Sequence, residues 1–418
     1  MLPFATRSHE SAGFMDALFT ATSAVCVTGL VVHDTATYWS QFGQTVILIL
    51  IQIGGMGVVT VAVAIAIFSG KKIGLMQRST MQEALAAPKM GGIVRLTGFI
   101  LKTTFSIELL GAVCLAFAFV PEFGVARGIW YSIFHSVSAF CNAGFDLMGI
   151  REQYSSLTAF SAKPLVNLVV MFLIITGGIG FLTWDDIRMK KWYLGKYRMQ
   201  SKMILSVTGI LIIIPALYFY FCEFSRLPWG NITESEKVLA SLFQSVTPRT
   251  AGFNTVDLKK LTEPGQMIMI ILMIIGGSPG STAGGIKTTT LAVMVVSAVA
   301  VFNRKTQGQC FGRRIPVDVV VNAATILWMY LLLFVSGAVV IAHVEELPIL
   351  TCLFETASAI GTVGLTLGIT SSLGTISRCV LVMLMFLGRV GALTLVFAAL
   401  SNKHGEIARF PEERVTVG

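Results

Sequence analysis

Short amphipathic helices that end at a glycine recur four times along the chain, and a long apolar segment follows each of them. The four stretches are DALFTATSAVCVTGL up to Gly29, YSIFHSVSAFCNAGF around Gly144, ASLFQSVTPRTAGF around Gly252 and CLFETASAIGTVGL around Gly364. A phenylalanine lies nine or ten residues before each glycine. The period of roughly a hundred residues is too long for a solenoid, so each copy is predicted to be a membrane unit in its own right. Four copies of one loop indicate a pore.

Apolar segments long enough to span a bilayer are predicted near residues 43–69, 93–120, 164–184, 201–222, 318–343 and 374–400, and a seventh, interrupted one begins near Gly265. Hydrophobic residues make up 54% of the chain, charged residues 13%, and the mean hydropathy is +0.77. These values exclude an ordinary soluble domain. The sequence therefore predicts an all-α integral membrane protein.

Basic residues cluster after the long apolar helix of each copy, within residues 71–102, 188–202, 304–314 and 403–414. The positive-inside rule places these clusters in the cytoplasm, together with the C-terminal tail 401–418. The glycine-ended loops then open outward. The net charge of +9 is interpreted as a topology signal and a contact for anionic membrane lipid, not as a nucleic-acid interface. The seven cysteines show neither a CxxC pair nor metal-ligand spacing.

The copies define four predicted helix, pore-loop, helix units at residues 1–90, 91–200, 201–315 and 316–400. Their pore loops are expected at 14–30, 129–145, 238–253 and 350–365, and their inner helices at 43–69, 164–184, 265–303 and 374–400. Only thirteen residues precede Phe14, so the first unit is expected to lack its outer helix. That stub contains no cleavable signal peptide.

A second motif of small residues occurs in each inner helix: GGMG at 54–57, GGIG at 177–180, GGSPG at 276–280 and GRVG at 388–391. Close helix packing explains the first two as well as a pore role does. In the third, glycines and a proline predict a helix break and a mobile loop over 276–287. Its candidate gate residues are Gly276, Gly277, Ser278, Pro279, Gly280, Gly284, Gly285 and Lys287. A phosphate-binding loop is disfavoured because Ile286 separates glycine from lysine.

Arg389 in the fourth motif is expected to face a partner or an aqueous path, because a charge at that depth is costly. Snorkelling to the interface is the weaker alternative. Glu108 and Asn167 are expected to form hydrogen bonds between helices, although lining a path is also open. His135, Gln244 and Glu355 share one position of the short helices and are expected to brace the loops.

The chemistry favoured for the four loops is cation binding by backbone carbonyls. A half-helix that enters from outside ends with its partially negative C-terminus near the bilayer centre, and an extended segment can turn carbonyls toward the axis. Neutral oxygens suit a monovalent ion. The candidate donors are Val27, Thr28, Gly29, Asn142, Ala143, Gly144, Thr250, Ala251, Gly252, Thr362, Val363 and Gly364.

These motifs together resemble the Trk/Ktr/HKT superfamily of cation transporters, and most closely the membrane subunit of the bacterial Ktr-type potassium uptake system. The resemblance runs from DALFTATSAVCVTGL through TPRTAGFN and STAGGIKTTT to IGTVGLTLGIT, GRVGALTLVFA and RFPEERVTVG. It implies four pseudo-symmetric, potassium-channel-like units in the bacterial cell membrane. It also implies an outward potassium filter, and a gate loop at 276–287 associated with Arg389. Family members begin with an outer helix, which implies an internal start or a shortened chain here.

The resemblance further implies a potassium symporter that depends on sodium and works as a homodimer on a cytoplasmic ring of regulatory subunits that bind ATP or ADP. Gly29 at the first filter position goes with potassium preference, whereas serine there goes with sodium. The transported ion is therefore expected to be K⁺, with Na⁺ possible and no organic cofactor. The alternatives are a sodium or other monovalent-cation transporter of the same superfamily, a secondary carrier with inverted repeats, and an enzyme that binds phosphate.

Overall fold

The computed structural model describes residues 1–57, 60–62, 65, 93–226, 229, 230 and 232–391, and these residues are mostly helical. The helices are α1 (Phe14–Cys26), α2 (Thr35–Tyr38), α3 (Gln41–Met56), α4 (Ile93–Phe123), α5 (Val125–Phe140), α6 (Pro164–Ile179), α7 (Phe181–Lys190), α8 (Met199–Tyr218), α9 (Glu234–Val246), α10 (Glu263–Ile274), α11 (Thr288–Phe302), α12 (Val317–Glu345), α13 (Ile349–Gly361) and α14 (Thr375–Val390). A two-stranded antiparallel hairpin of β1 (Gln309–Cys310) and β2 (Arg313–Arg314) pairs Gln309 with Arg314.

Four short helices, α1, α5, α9 and α13, occupy the predicted pore-loop positions, and each begins and ends with local signals. Helix α9 begins with a capping box in which Thr233 and Glu236 bond each other's backbone N–H groups. Helices α1 and α13 end at Val27 and Thr362, both in the left-handed region. Every short helix is followed by a turn, which is where the predicted donors lie.

Three of the described helices are long and apolar enough to cross a membrane: Val94–Phe123, Met199–Glu223 and Val317–Glu345. The pair α6 and α7 forms a fourth span if it is taken together, although it bends by 95°. Several large apolar side chains on these long helices are highly exposed: Phe117 at 73%, Trp328 at 71% and Leu109 at 67%. Large apolar side chains in such positions are suited to lipid contact.

The inner helices differ from the prediction at their small-residue motifs. The continuous helix predicted at 164–184 is wrong, because Gly180 has φ of +94° and the chain turns sharply there. Helix α3 ends at Gly57 with φ of +82°, and α14 ends at Gly391 with φ of +87°, short of the predicted ends. Positive φ lies outside the helical region. The rest of the predicted helices 43–69 and 374–400, and the tail 401–418, lie largely outside the described residues.

The break predicted in the third inner helix is confirmed, since α10 ends at Ile274 and α11 begins at Thr288. The intervening segment folds back on itself, and Ile275 and Ile286 form a parallel bridge. Two large buried apolar clusters hold the short helices. One contains Phe134 and Phe243, and the other contains Phe19 and Phe354, so the phenylalanines of the repeated pattern are all core residues.

Candidate functional site

The four glycines that follow the short helices lie against one another in the order of the sequence. A Cβ atom built on Gly29 would fall 3.1 Å from the Cα of Gly144, and one on Gly144 would fall 2.8 Å from the Cα of Gly252. One on Gly252 would fall 3.4 Å from the Cα of Gly364, and one on Gly364 would fall 2.9 Å from the Cα of Gly29, which closes a ring. Each Cβ would also meet the carbonyl oxygen of the residue before the next glycine, closer than 3.0 Å. The ring therefore has no space for a side chain.

The backbone around this glycine ring repeats an uncommon conformation. Val27, Asn142, Thr250 and Thr362, each two residues before a ring glycine, have φ of 58°, 58°, 64° and 52°. The ring glycines themselves have φ between 69° and 93°. Left-handed backbone at a residue with a side chain costs about 1–2 kcal/mol and gathers at functional sites. The twelve predicted donor residues are thus brought together in one set of four equivalent turns.

A hydroxyl residue near the end of each short helix holds the turn that follows it. Ser23 Oγ accepts a hydrogen bond from the Gly29 N–H at 3.1 Å, and Ser358 Oγ accepts one from the Gly364 N–H at 3.0 Å. Ser138 Oγ donates to the Phe145 carbonyl at 2.7 Å, and Thr247 donates to the Phe253 carbonyl. Sequence reasoning missed these residues. Their signal was a serine or threonine five or six residues before every ring glycine.

Three threonine hydroxyls at the ring make no hydrogen bond within the described part of the chain. These are the Oγ1 atoms of Thr28, Thr250 and Thr362, and all three side chains are completely buried. A buried polar atom without a partner is destabilising by about 1–3 kcal/mol and calls for a ligand or a water. Oxygens of this kind are suited to a monovalent cation. By contrast, no group of three or more His, Cys, Asp or Glu residues among the described ones is suited to hold a metal ion.

The predicted gate segment lies against the turn that precedes the ring glycine Gly364. A Cβ atom on Gly284 would clash with the Thr362 side chain, and one on Gly285 would fall 3.1 Å from the Gly361 carbonyl oxygen. Within the segment, the Ser278 and Thr288 hydroxyls are 3.0 Å apart. Ile275 to Lys287 therefore forms a folded plug on the helix-break side of the ring, with its glycines at the points of closest approach.

Two of the other three small-residue motifs, GGIG and GRVG, form hydrogen bonds with this plug. The Ser278 N–H donates to the Gly178 carbonyl at 3.0 Å, and the Phe181 N–H donates to the Gly280 carbonyl at 2.8 Å. The Gly285 N–H donates to the Gly388 carbonyl at 3.3 Å. The close packing expected of the first two motifs is observed: Gly54 and Gly177 pack against carbonyls of α1 and α5. The Gly178 carbonyl also binds the plug.

Arg389 of the fourth motif binds backbone carbonyls of the plug and of the first motif, GGMG. Its guanidinium donates to the carbonyls of Thr282 in the plug and Gly54 in α3, and to that of Gly55 at 3.4 Å. This is the partner that the sequence required for a charge at that depth. Lys287 Nζ donates to the carbonyls of Ala283 at 2.8 Å and Gly284 at 3.4 Å within the plug. Two cations therefore hold the plug by its own carbonyl oxygens.

Two of the three residues predicted to brace the loops do so. The Leu147 N–H donates to His135 Nε2 at 3.3 Å, which ties α5 to the segment beyond its ring glycine. The completely buried Glu355 carboxylate accepts a hydrogen bond from Thr366 Oγ1 at 2.8 Å and another from Thr370. Gln244 is buried, but neither of its side-chain polar atoms has a hydrogen-bond partner among the described residues.

Of the two residues expected to form hydrogen bonds between helices, Glu108 does so, whereas Asn167 binds the loop before its own helix. Glu108 on α4 accepts from Gln52 Nε2 on α3 at 3.0 and 3.2 Å, which is the expected bond between helices. Asn167 Nδ2 donates to the carbonyls of Phe160 at 2.8 Å, Ser161 at 3.1 Å and Lys163 at 2.8 Å. It therefore anchors the loop that leads into α6.

The opposite side of the glycine ring faces an open cavity of about 850 Å³, which we call the outer mouth. All four ring glycines line it. Its ionisable side chains are Asp34, Asp146, Glu152, Glu236, Asp257, Lys259 and Lys260. Burial, opposed by a hydrogen bond from the Met148 N–H and assisted by the nearby Asp34, raises the pKa of Asp146 to about 7. Five carboxylates against two ammonium groups make the mouth acidic.

The geometry agrees with what the chain is similar to. The family model described as TrkH, cation transport protein, matches residues 2–406. The potassium/sodium uptake protein NtpJ of Enterococcus hirae is 43% identical over 423 residues, which cover 100% of this chain and 92% of that protein. The Ktr system potassium uptake protein B of Bacillus subtilis is 41% identical over 419 residues, with the same coverage of 100% and 92%.

Among solved structures, that of the potassium transporter TrkH from Vibrio parahaemolyticus has a similar fold. The TM-score is 0.73 at 19% identity, and the alignment covers 93% of this chain and 78% of that one. At this identity the likeness concerns the fold alone. With a family model that spans nearly the whole sequence and relatives above 40% identity, the chain belongs to the TrkH family of cation transport proteins.

Proposed function

We propose that this protein carries potassium into the cell through a selectivity filter made by four pore-loop units around one axis. The observation that carries the proposal is the closed ring of Gly29, Gly144, Gly252 and Gly364, in which each glycine contacts the next in sequence order. A simple helix bundle does not need a ring of four equivalent turns. Such a ring is the arrangement needed to surround an ion.

Dehydrating the ion requires oxygens in place of its water. The short helices end beside the ring, so their partially negative C-terminal ends meet there. Backbone carbonyls of the twelve donor residues can replace the hydration shell. The unpartnered hydroxyls of Thr28, Thr250 and Thr362 add neutral oxygens. Neutral donors suit K⁺, whereas divalent ions prefer carboxylates.

The plug, Ile275 to Lys287, is the gate of this pathway in our proposal. It lies against Thr362. Hydrogen bonds to the Gly178 and Gly388 carbonyls and from two cationic side chains hold it in place. An irregular segment can open locally at a lower free energy than the whole fold. Gly276, Gly277, Pro279 and Gly280 supply its irregular backbone.

Regulation is proposed to come from outside this chain. One relative is named as part of a Ktr system, and on that basis we propose a homodimer in the bacterial cell membrane, resting on a cytoplasmic ring of subunits that bind ATP or ADP. The tail 401–418 is the proposed contact. The outer mouth then faces the exterior, and uptake is expected to depend on sodium.

A second function, sodium or mixed uptake, is favoured by one observation. The relative from Enterococcus hirae is named a potassium/sodium uptake protein. Glycine at all four ring positions argues for potassium, since each ring member presents only backbone. The two functions differ in which ion supports growth and which ion competes.

The test is potassium-dependent growth and Rb⁺ uptake of an uptake-deficient bacterium that carries the gene, measured with sodium present and absent. Gly29→Ser is the diagnostic variant, because its Cβ would fall 2.5 Å from the Ala143 carbonyl oxygen. Gly124→Ser is the matched control, since Gly124 also has positive φ, +80°, but has open space around its Cβ. We expect Gly29→Ser to lower uptake and the preference for potassium over sodium, and Gly124→Ser to keep both. Equal behaviour of the two variants would contradict the filter.

A further inference from the structure

The outer mouth carries carboxylates and ammonium groups, and its carboxylates are largely engaged with backbone. Asp34 accepts from the N–H groups of Ala36, Thr37 and Tyr154. Asp146, Asp257 and Glu236 accept from the N–H groups of Met148, Lys259 and Thr233. Much of their charge is therefore already offset by peptide dipoles, which weakens the field they offer to an entering cation.

Lys259 is the opposite case. Its side chain is exposed and lines the same cavity as the four ring glycines. Within the described part of the chain, its ammonium makes no hydrogen bond, ion pair or ring contact. The nearest carboxylate in sequence, Asp257, binds the backbone N–H of Lys259 at 3.1 Å and not its ammonium. The positive charge of Lys259 is thus free to act on an ion in the mouth.

A notch in the fourth unit receives this lysine. A Cβ atom on Gly368 would fall 2.7 Å from Lys259 Cε and 2.9 Å from Lys259 Nζ, so the end of the lysine side chain lies against this glycine. Gly368 has φ of +93°, and its N–H donates to Thr366 Oγ1 at 2.9 Å. Thr366 is in turn bonded to the buried Glu355. The notch is therefore a rigid turn, four residues beyond the ring glycine Gly364.

We propose that Lys259 is a tethered cation of the outer mouth, which competes with K⁺ and lowers the apparent affinity of uptake. The proposal rests on the proposed function. A fixed positive charge repels an entering cation before the ion reaches the ring, so it acts on capture and not on the filter itself. Removing it should lower KM for K⁺, with maximal rate and ion preference unchanged. Because the group is exposed, salt should screen the effect.

The experiment measures Rb⁺ and K⁺ uptake kinetics in an uptake-deficient bacterium that expresses the full chain. The external ionic strength is set with N-methylglucamine chloride to about 10 mM or about 150 mM, where the Debye length is about 30 or 8 Å. Lys259→Gln removes the charge, Lys259→Glu inverts it, and Lys259→Arg retains it. Lys260→Gln is the matched control, because Lys260 lines the same mouth without a notch.

At low ionic strength we expect Lys259→Gln to lower KM by about threefold and Lys259→Glu to lower it further, while Lys259→Arg and Lys260→Gln stay near the unaltered chain. At the higher ionic strength the ratio of each variant's KM to that of the unaltered chain should approach one. An unchanged KM in Lys259→Gln, or an equal decrease of KM in Lys260→Gln, overturns this inference but not the proposed function. Absence of uptake by the unaltered chain overturns the proposed function and this inference with it.

Discussion

Replacing Arg389 with alanine tests whether the plug is a gate held by a guanidinium. In the structure this side chain donates to the carbonyl of Thr282 in the plug and to those of Gly54 and Gly55 in α3. A hydrogen bond from a charged donor contributes about 1.5–3 kcal/mol. The alanine variant removes that bond from the closed plug. The open population should therefore rise by about 10- to 150-fold, and uptake should rise until the filter becomes limiting.

The choice of variants separates the bridging role of Arg389 from simple repulsion of cations by its charge. Arg389→Lys keeps the positive charge but cannot reach the plug and α3 with the same planar fork. If Arg389 acts by bridging, the lysine variant shows intermediate uptake. If it acts only by repelling cations in the pathway, the lysine variant matches the unaltered chain. Arg378→Ala is the control on the same helix, since Arg378 binds Asp16 at 2.8 Å and not the plug.

The assay is the initial rate of Rb⁺ uptake, normalised to the amount of folded protein extracted from the membrane. Folding is checked by size-exclusion chromatography in detergent, because the alanine variant also leaves the Gly54 carbonyl without this donor. Uptake that stays level or falls in properly folded Arg389→Ala protein would refute the gate and leave Arg389 as a structural tie between helices.

Three further outcomes are expected. Deleting residues 277–285 should raise ion flux because the plug is removed; level or lower flux in folded protein would make the segment structural. Glu355→Ala should lower the free energy of unfolding by about 3 kcal/mol, as the Thr366 and Thr370 hydroxyls lose a buried acceptor; an unchanged thermal midpoint in detergent would contradict this. Burial raises the pKa of Asp146 to about 7, so the folded form binds its proton more tightly, and stability should fall as pH rises from about 4 to about 7; Asp146→Asn should flatten that profile, and parallel profiles would refute the shift.

The ring could be predicted from the sequence because a short local pattern specifies each of its four turns, and that pattern repeats. A glycine nine or ten residues after a phenylalanine, four times over, fixes both the core anchor and the turn. Only glycine fits where one backbone segment approaches another closely. The repeated spacing alone therefore predicted that the four loops lie together. The hydroxyl residues Ser23, Ser138 and Ser358 are equally periodic. Serine is common in helices, however, and a single copy does not distinguish a serine that holds a turn from an ordinary one.

The ends of the inner helices could not be anticipated in the same way. GGIG at 177–180 reads as a continuous apolar helix with small residues, and small residues favour close packing as readily as a break. Tertiary contacts with the plug break the helix. A Cβ atom on Gly180 would fall 2.7 Å from the Pro279 carbonyl oxygen, and the N–H of the next residue, Phe181, donates to the Gly280 carbonyl at 2.8 Å. The plug, about a hundred positions further along the chain, supplies the hydrogen bond that the helix gives up.

That exchange of hydrogen bonds explains why the four small-residue motifs differ in sequence but meet at one place. A break at mid-membrane leaves polar backbone groups that no water can satisfy, so partners must come from other segments. GGIG receives them from the plug, GGSPG is the plug, and GRVG supplies the Gly388 carbonyl and the Arg389 guanidinium that reaches GGMG. If the plug leaves its position, the Gly178 carbonyl and the Phe181 N–H lose their partners together. Opening should therefore be cooperative, and Gly180→Ala, which cannot keep φ of +94° without strain, should raise uptake as Arg389→Ala does.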